Sequence, residues 1–133
     1  MDKPRLISFK KIGESSLGFI SVAESATNIP FVIERTFWTY YTPEEVVRGR
    51  HAHHHTEMIL IAIGGRIVVN TEMPDGSLDV FVLDKPNEGL YLPKLCWHTM
   101  QYSHSVVQLV LASSHYSESD YIRSYEEFKK ISA

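Results

Sequence analysis

Apolar residues in this chain occur in short runs separated by turn sequences such as Gly64-Gly65, Met73-Pro74-Asp75-Gly76 and Pro86-Asn87-Glu88-Gly89. Short apolar runs between such turns indicate β-strands, and turns at this spacing are typical of an antiparallel sandwich or barrel. We therefore predict an all-β body. The predicted strands are Leu6–Ile12, Leu17–Ala23, Pro30–Tyr41, Arg48–His53, Glu57–Ile63, Arg66–Thr71, Ser77–Leu83, Gly89–Leu92, His98–Tyr102 and Val106–Ala112.

The period of the apolar residues changes only near the C-terminus. Ser117-Glu118-Ser119-Asp120 is a serine-led pattern of the kind that begins a helix. After it, Tyr121, Ile122, Tyr125 and Phe128 fall on one face at helical spacing. The sequence therefore predicts one amphipathic C-terminal α-helix that begins next to Ser117.

Length, charge and cysteine content narrow the class further. The chain has 133 residues, which suits a single domain spanning 1–133. Its net charge is −3 and its 13 basic residues are scattered, so no nucleic-acid partner is expected. The single cysteine, Cys96, cannot form an internal disulfide, and the N-terminus lacks an apolar segment. We therefore expect a cytoplasmic protein without a membrane partner.

A histidine cluster is the main candidate for chemistry. In a strand that begins at Arg48, alternate residues face the same side, so His51, His53 and His55 are predicted to point together into a barrel. His98 follows on a later strand. The spacing of His51, His53, Glu57 and His98 is that of the metal ligands in cupin barrels, and such a set suits iron, manganese, nickel or zinc. A metal-free interpretation is also open: paired imidazoles can move a proton alpha to a carbonyl, with Glu57 tuning one of them.

Three motifs in order resemble one family. They are Arg48-Gly49-Arg50-His51-Ala52-His53, Gly89-Leu90-Tyr91 with Trp97-His98, and Ser119-Asp120-Tyr121-Ile122-Arg123-Ser124-Tyr125 with Phe128-Lys129-Lys130. The sequence is similar to the cupin-type dTDP-4-keto-6-deoxyglucose 3,4-ketoisomerases, WxcM-like isomerases of bacterial surface-polysaccharide pathways. dTDP is thymidine diphosphate. The similarity extends from about residue 7 to residue 130.

The resemblance implies a fold, an activity and a partner. On this resemblance we expect a cupin jelly roll and a homodimer with exchanged N-terminal strands reaching to about Val22. The activity is isomerisation of a dTDP-linked 4-keto-6-deoxy sugar without a metal or other cofactor. His51 and His53 are the catalytic histidines of the family's His-Ala-His motif, and Arg35 matches a strand arginine of the family.

Other substrate-binding residues are predicted from their chemistry. Arginines suit a diphosphate, and Arg35 ranks ahead of Arg48 and Arg50 because alternation places those two opposite the histidines unless a bulge intervenes. Tyr91, Trp97, Phe37 and Trp38 are candidate platforms for thymine, and His98 is a further pocket candidate. The helical tyrosines and Phe128 are expected to pack as core or interface.

The sequence also departs from the family pattern. His54 stands where the family usually has a lysine, Met58 where a glutamine is common, and Phe37-Trp38 where a tyrosine pair is expected. Two further functions therefore stay open at this stage. One is a metal-dependent cupin enzyme, an oxygenase or metallo-isomerase, and the other is a non-catalytic sugar-sensing cupin.

Overall fold

The computed structural model describes residues 1–132, which form antiparallel strands and one short α-helix. Two five-stranded sheets have the strand orders β1-β9-β6-β11-β4 and β12-β5-β10-β7-β8, and β2 and β3 form a separate hairpin. This is the predicted all-β jelly roll. The elements are β1 (Arg5–Ser8), β2 (Ile12–Glu14), β3 (Gly18–Ile20), β4 (Arg35–Thr39), β5 (Val47–His53), β6 (Met58–Ile63), β7 (Ile67–Glu72), β8 (Leu78–Leu83), β9 (Glu88–Leu92), β10 (Trp97–Tyr102), β11 (Val107–Ala112), β12 (Tyr121–Ile122) and α1 (Tyr125–Lys129).

The main core lies between the two larger sheets. β7 shows the alternation expected of a half-buried strand, since Ile67, Val69 and Thr71 are buried. β6 is apolar and buried along most of its length because both faces of its sheet are covered. On the outer face, Phe9 and the Ile29–Phe31 segment pack over the sheet. β6, β9 and β11 contribute residues to both cores, so these strands are packed on both faces and form one wall of the space between the sheets.

A β-bulge shifts the middle of β5. Gly49 and Arg50 have φ angles of +86° and +60°, and the pairing register with β10 changes between His98 and Thr99. One extra residue in β5 breaks the simple alternation of faces. Arg48 therefore lines the same cavity as His51, which is the exception to regular alternation that a bulge was expected to produce.

The C-terminal helix is shorter than the sequence predicts. Tyr121 and Ile122 form β12, which pairs with His53 and Ala52 of β5. The helix begins at Tyr125, and the hydroxyl of Ser124 accepts a hydrogen bond from the Glu127 amide at 3.3 Å. Long-range strand pairing outweighs the local helical spacing of residues 121 and 122, because it satisfies backbone groups next to the buried end of β5.

The N-terminal predictions are too long. Regular pairing of the first predicted strand ends at Ser8, the second spans only Gly18–Ile20, and the third begins at Arg35. β1 pairs with β9 of the same chain. Within residues 1–132, no helix has the length and apolar character needed to cross a membrane.

Candidate active site

A cavity of about 210 Å³ lies between the two sheets and collects the inward-facing side chains near the bulge. Its walls combine apolar side chains with a larger number of polar and charged ones, so the cavity is suited to a polar small molecule. The lining residues are Phe37 and Thr39 from β4, Arg48, Gly49, His51 and His53 from β5, Met58 and Leu60 from β6, His98, Met100 and Tyr102 from β10, Gln108 and Val110 from β11, and Tyr121 and Arg123.

Three histidine rings meet in this cavity. The His51 ring centroid lies 5.1 Å from that of His53 and 4.8 Å from that of His98. In each ring Nδ1 faces an acceptor: the Gly49 carbonyl at 3.1 Å from His51, the Asp120 carboxylate at 2.9 Å from His53, and the carbonyl of Cys96 at 3.0 Å from His98. An acceptor at Nδ1 places the proton there, so Nε2 keeps the lone pair of the neutral ring.

Burial keeps these imidazoles neutral. Burial, reinforced by the neighbouring His98 and His53, lowers the pKa of His51 to about 3. Burial likewise lowers the pKa of His98 to about 4. The pKa of His53 is also lowered by burial, although the hydrogen bond and charge of Asp120 act in the opposite direction. At neutral pH the cavity therefore presents unprotonated nitrogens that can accept protons.

Asp120 connects His53 to the chain segment between β5 and β6. Its carboxylate accepts hydrogen bonds from Nδ1 of His53, from the His55 backbone amide at 2.7 Å and from the Thr56 hydroxyl, while its carbonyl accepts from the His54 amide at 2.8 Å. Burial raises the pKa of Asp120, but these hydrogen bonds outweigh it and lower the value. An ionised carboxylate thus orients the ring and can stabilise its protonated form.

Cations and an aromatic ring complete the cavity. The Tyr121 ring centroid lies 4.4 Å from that of His53. Arg123 stacks on Tyr121 at 4.1 Å and pairs with Glu118, with an Nε to Oε1 distance of 2.6 Å. Because of the bulge at Gly49 and Arg50, Arg48 also lies on the cavity lining. Sequence reasoning missed Asp120, Tyr121 and Arg123, because helical spacing alone placed this segment away from the histidine strand.

Glu57 and His55 do not join the three histidines. Glu57 accepts a hydrogen bond from the Tyr91 hydroxyl at 2.5 Å, and both residues line a second cavity that also contains His55 and Lys94. β5 ends at His53, and His55 is exposed beyond the alternating strand. The predictions that His55 faces the barrel and that Glu57 tunes a histidine are therefore wrong. In residues 1–132, no group of three or more acidic, cysteine or histidine side chains has a metal-binding arrangement.

Three predicted substrate-binding residues also lie elsewhere. Tyr91 belongs to the second cavity, and Arg50 is exposed at the bulge. Trp97 packs on Tyr125 and Phe128, with ring centroids 5.3 and 5.6 Å apart. None of the three lines the histidine cavity. Which way these side chains point depends on the alternation of each strand and on the bulge in β5, and residue type alone does not determine either.

Arg35 lies beside the cavity. Its guanidinium carbon is 5.2 Å from the centroid of Phe37, and its positive charge contributes to lowering the pKa of His53. The Nε atom is buried and has no hydrogen-bond partner among residues 1–132. Arg35, the arginine that matches a strand arginine of the family, therefore lies close enough to the histidines to affect the pKa of His53.

Fold and site together define a small cupin-type protein whose cavity is suited to moving protons on a polar ligand. The chain belongs to the FdtA family, since the family model, described as WxcM-like, C-terminal, matches residues 2–133. The predicted family is thereby confirmed.

Similar proteins agree with this assignment. A TDP-4-oxo-6-deoxy-alpha-D-glucose-3,4-oxoisomerase from Aneurinibacillus thermoaerophilus is 39% identical over 133 residues, covering 97% of this chain and 92% of that protein. A variant of the 3,4-ketoisomerase QdtA from Thermoanaerobacterium thermosaccharolyticum, solved with TDP-4-keto-6-deoxyglucose, is 32% identical with a TM-score of 0.89, covering 95% of this chain and 91% of that one. The TDP-quinovose 3,4-ketoisomerase WlaRB from Campylobacter jejuni is 29% identical with a TM-score of 0.91, covering 98% and 100%. TDP is the thymidine diphosphate that is also written dTDP.

Proposed function

We propose that this protein is a nucleotide-sugar 3,4-ketoisomerase that converts TDP-4-keto-6-deoxyglucose into a TDP-3-keto-6-deoxyhexose. The observation that carries the proposal is the neutral His53 imidazole, bonded to the ionised Asp120 inside the cavity of a chain from this family. In a 4-keto sugar the C3 proton is acidified by the adjacent carbonyl. Its removal gives an enediolate; transfer of the hydroxyl proton from O3 to O4 and reprotonation at C4 then leave the ketone at C3 and a hydroxyl at C4.

His53 is assigned as the base. Nδ1 donates to Asp120, so the lone pair on Nε2 is the one that accepts the C3 proton. The carboxylate then stabilises the imidazolium that forms, and the same ring can deliver the proton to C4. His51 and His98 have carbonyl partners at Nδ1, which lack the full negative charge that Asp120 provides.

Hydrogen-bond donors and cations support the enediolate and the diphosphate. His51 lies in edge-to-face contact with His53, and Tyr121 lines the same cavity. A tyrosine hydroxyl can donate a hydrogen bond to an enediolate oxygen, and the lone pair on Nε2 of His51 can accept one from the enediolate O–H. Arg48 and Arg123 lie on the cavity lining, and the planar guanidinium fork matches phosphate oxygens. We assign the diphosphate to these two arginines, and Arg35 to a supporting charge beside His53.

We also propose that the protein is a homodimer and that the β2–β3 hairpin forms part of the contact between its subunits. The β2–β3 hairpin joins neither larger sheet in the described chain, and it exposes apolar side chains at Ile12, Phe19 and Ile20. Exposed apolar surface of this kind is typical of subunit contacts. We propose that the hairpin packs on a second copy, and the exchange of β1 stays a prediction. Light scattering should give a dimer, and Phe19→Asp should weaken it; a monomeric wild type at micromolar concentration contradicts this.

Incubation with TDP-4-keto-6-deoxyglucose tests the activity. We expect a new 3-keto sugar whose rate of formation is unaffected by EDTA. The rate of Glu57→Gln should remain within a few-fold of the wild-type rate, since the Glu57 carboxylate accepts a hydrogen bond from Tyr91 outside the histidine cavity. If Glu57→Gln instead loses activity in parallel with bound iron, manganese, nickel or zinc, the metal-dependent alternative holds. If the protein binds the nucleotide sugar without turnover, the sensing alternative holds.

A further inference from the structure

Gln108 is a deeply buried polar residue on the cavity lining, and one of its hydrogen-bonding atoms has no partner within residues 1–132. It is 3% exposed and occupies β11 beside Val110 and Ala112, which face the same interior. In residues 1–132, its amide oxygen is buried and accepts no hydrogen bond. A buried, unpaired amide oxygen destabilises the unliganded fold, so its retention needs a reason.

Gln108 lies near Thr39 and Tyr102. Burial raises the pKa of the Tyr102 hydroxyl to about 12, and the neighbouring Arg48, Thr39 and Gln108 side chains act in the opposite direction. Thr39 is the direct strand partner of Gln108, and all three residues line the cavity. Within residues 1–132 the Gln108 amide oxygen is the buried atom without a partner, so it is the atom available to a ligand.

We infer that Gln108 is a ligand-recognition residue whose amide oxygen accepts a hydrogen bond from an N–H or O–H donor of the bound nucleotide sugar. This inference builds on the proposed function, which supplies the ligand. Two parts of the ligand carry such donors: the nucleoside, with its imide and ribose hydroxyl, and the hexose, with its ring hydroxyls. Gln108 is the only side-chain amide on the cavity lining in residues 1–132.

Calorimetric binding of TDP and of unreactive TDP-glucose tests the inference. Gln108→Met removes the acceptor at similar volume, and Gln101→Met, on the exposed side of β10, makes the same change outside the cavity. We expect Gln108→Met to raise Kd about tenfold, the effect of losing one buried hydrogen bond, and Gln101→Met to leave it unchanged. A loss shared by both ligands assigns the donor to the nucleoside, and a loss confined to TDP-glucose assigns it to the hexose.

Thermal unfolding separates recognition from a purely structural role. An unpaired oxygen replaced by an apolar group should leave the unliganded variant at least as stable as wild type. Gln108→Leu provides a second variant if methionine does not fit. Unchanged affinity for both ligands, or unfolding of both variants, overturns the inference. If wild type isomerises the keto sugar and Gln108→Met binds normally, only this inference fails; if wild type neither binds TDP nor isomerises the sugar, the proposed function fails with it.

Discussion

His53 meets two requirements that usually conflict in a general base. It must be neutral before reaction, which burial ensures, and its protonated form must be stabilised after reaction, which Asp120 provides. His51 has burial without a carboxylate partner, so its pKa falls to about 3. The two rings therefore differ in the charge of the partner at Nδ1.

Substitution of the cavity histidines should separate catalysis from folding. We expect His53→Asn to lower kcat by about 10²- to 10⁴-fold, the usual loss on removing a general base, and His51→Asn to lower it as well. His54→Asn, at the exposed neighbouring position, is the matched control and should retain the wild-type rate. Steady-state assays together with thermal unfolding provide the comparison. Activity within a few-fold of wild type for His53→Asn would remove this ring from the reaction.

The role of Asp120 can be read from the pH profile. The carboxylate raises the pKa of His53 against the larger effect of burial. A base must be unprotonated, so kcat/KM declines as the pH falls through that pKa. Asp120→Asn removes the charge and lowers the pKa of His53, and the acidic limb should move to lower pH while the maximal rate falls. A lower rate with an unshifted limb would mean that Asp120 only supports the fold.

Among the elements, β5 shows why the sequence predicted the position of a strand but not the direction of all of its side chains. From β5 onward, apolar runs and turns located the strands closely, because those signals are local. The face of Arg48 depends on the bulge at Gly49 and Arg50, and the placement of Asp120 depends on β12 pairing with β5. Both are long-range events that spacing does not encode. Helical spacing of Tyr121 therefore gave the wrong element.

Gly49 should be sensitive to substitution for two reasons. Its φ of +86° disfavours any other residue, and an added Cβ would lie 2.8 Å from the carbonyl oxygen of His98. Gly76 has nearly the same φ, +87°, with nothing within 4 Å. Gly49→Ala should therefore lose about 1–3 kcal/mol more stability than Gly76→Ala, the usual cost of overpacking, together with activity. Urea unfolding measures the difference, and equal losses would show that the bulge has no steric constraint.

For the whole molecule, the neutral histidines link stability to pH. The pKa values of His51 and His98 are about 3 and 4 when folded, against about 6.5 for an unperturbed histidine. The unfolded chain thus binds more protons below pH 6.5, and stability falls on acidification. For two such groups the free energy of unfolding should decrease by about 1.4 kcal/mol per pH unit near pH 6.5 and by roughly 2.5 kcal/mol per pH unit near pH 5. His51→Asn should flatten this slope; an unchanged slope would contradict the assigned burial.

Transfer of hydrogen from C3 of the sugar tests the central claim most directly. Proton NMR of TDP-4-keto-6-deoxyglucose in D₂O, with and without the protein, follows the C3 proton and the new hydrogen or deuterium at C4 in one time course. The account predicts that the wild-type protein removes the C3 signal as a 3-keto product accumulates, and that His53→Asn leaves it at the enzyme-free rate. A wild-type protein that binds TDP but leaves the C3 proton in place would contradict the ketoisomerase mechanism.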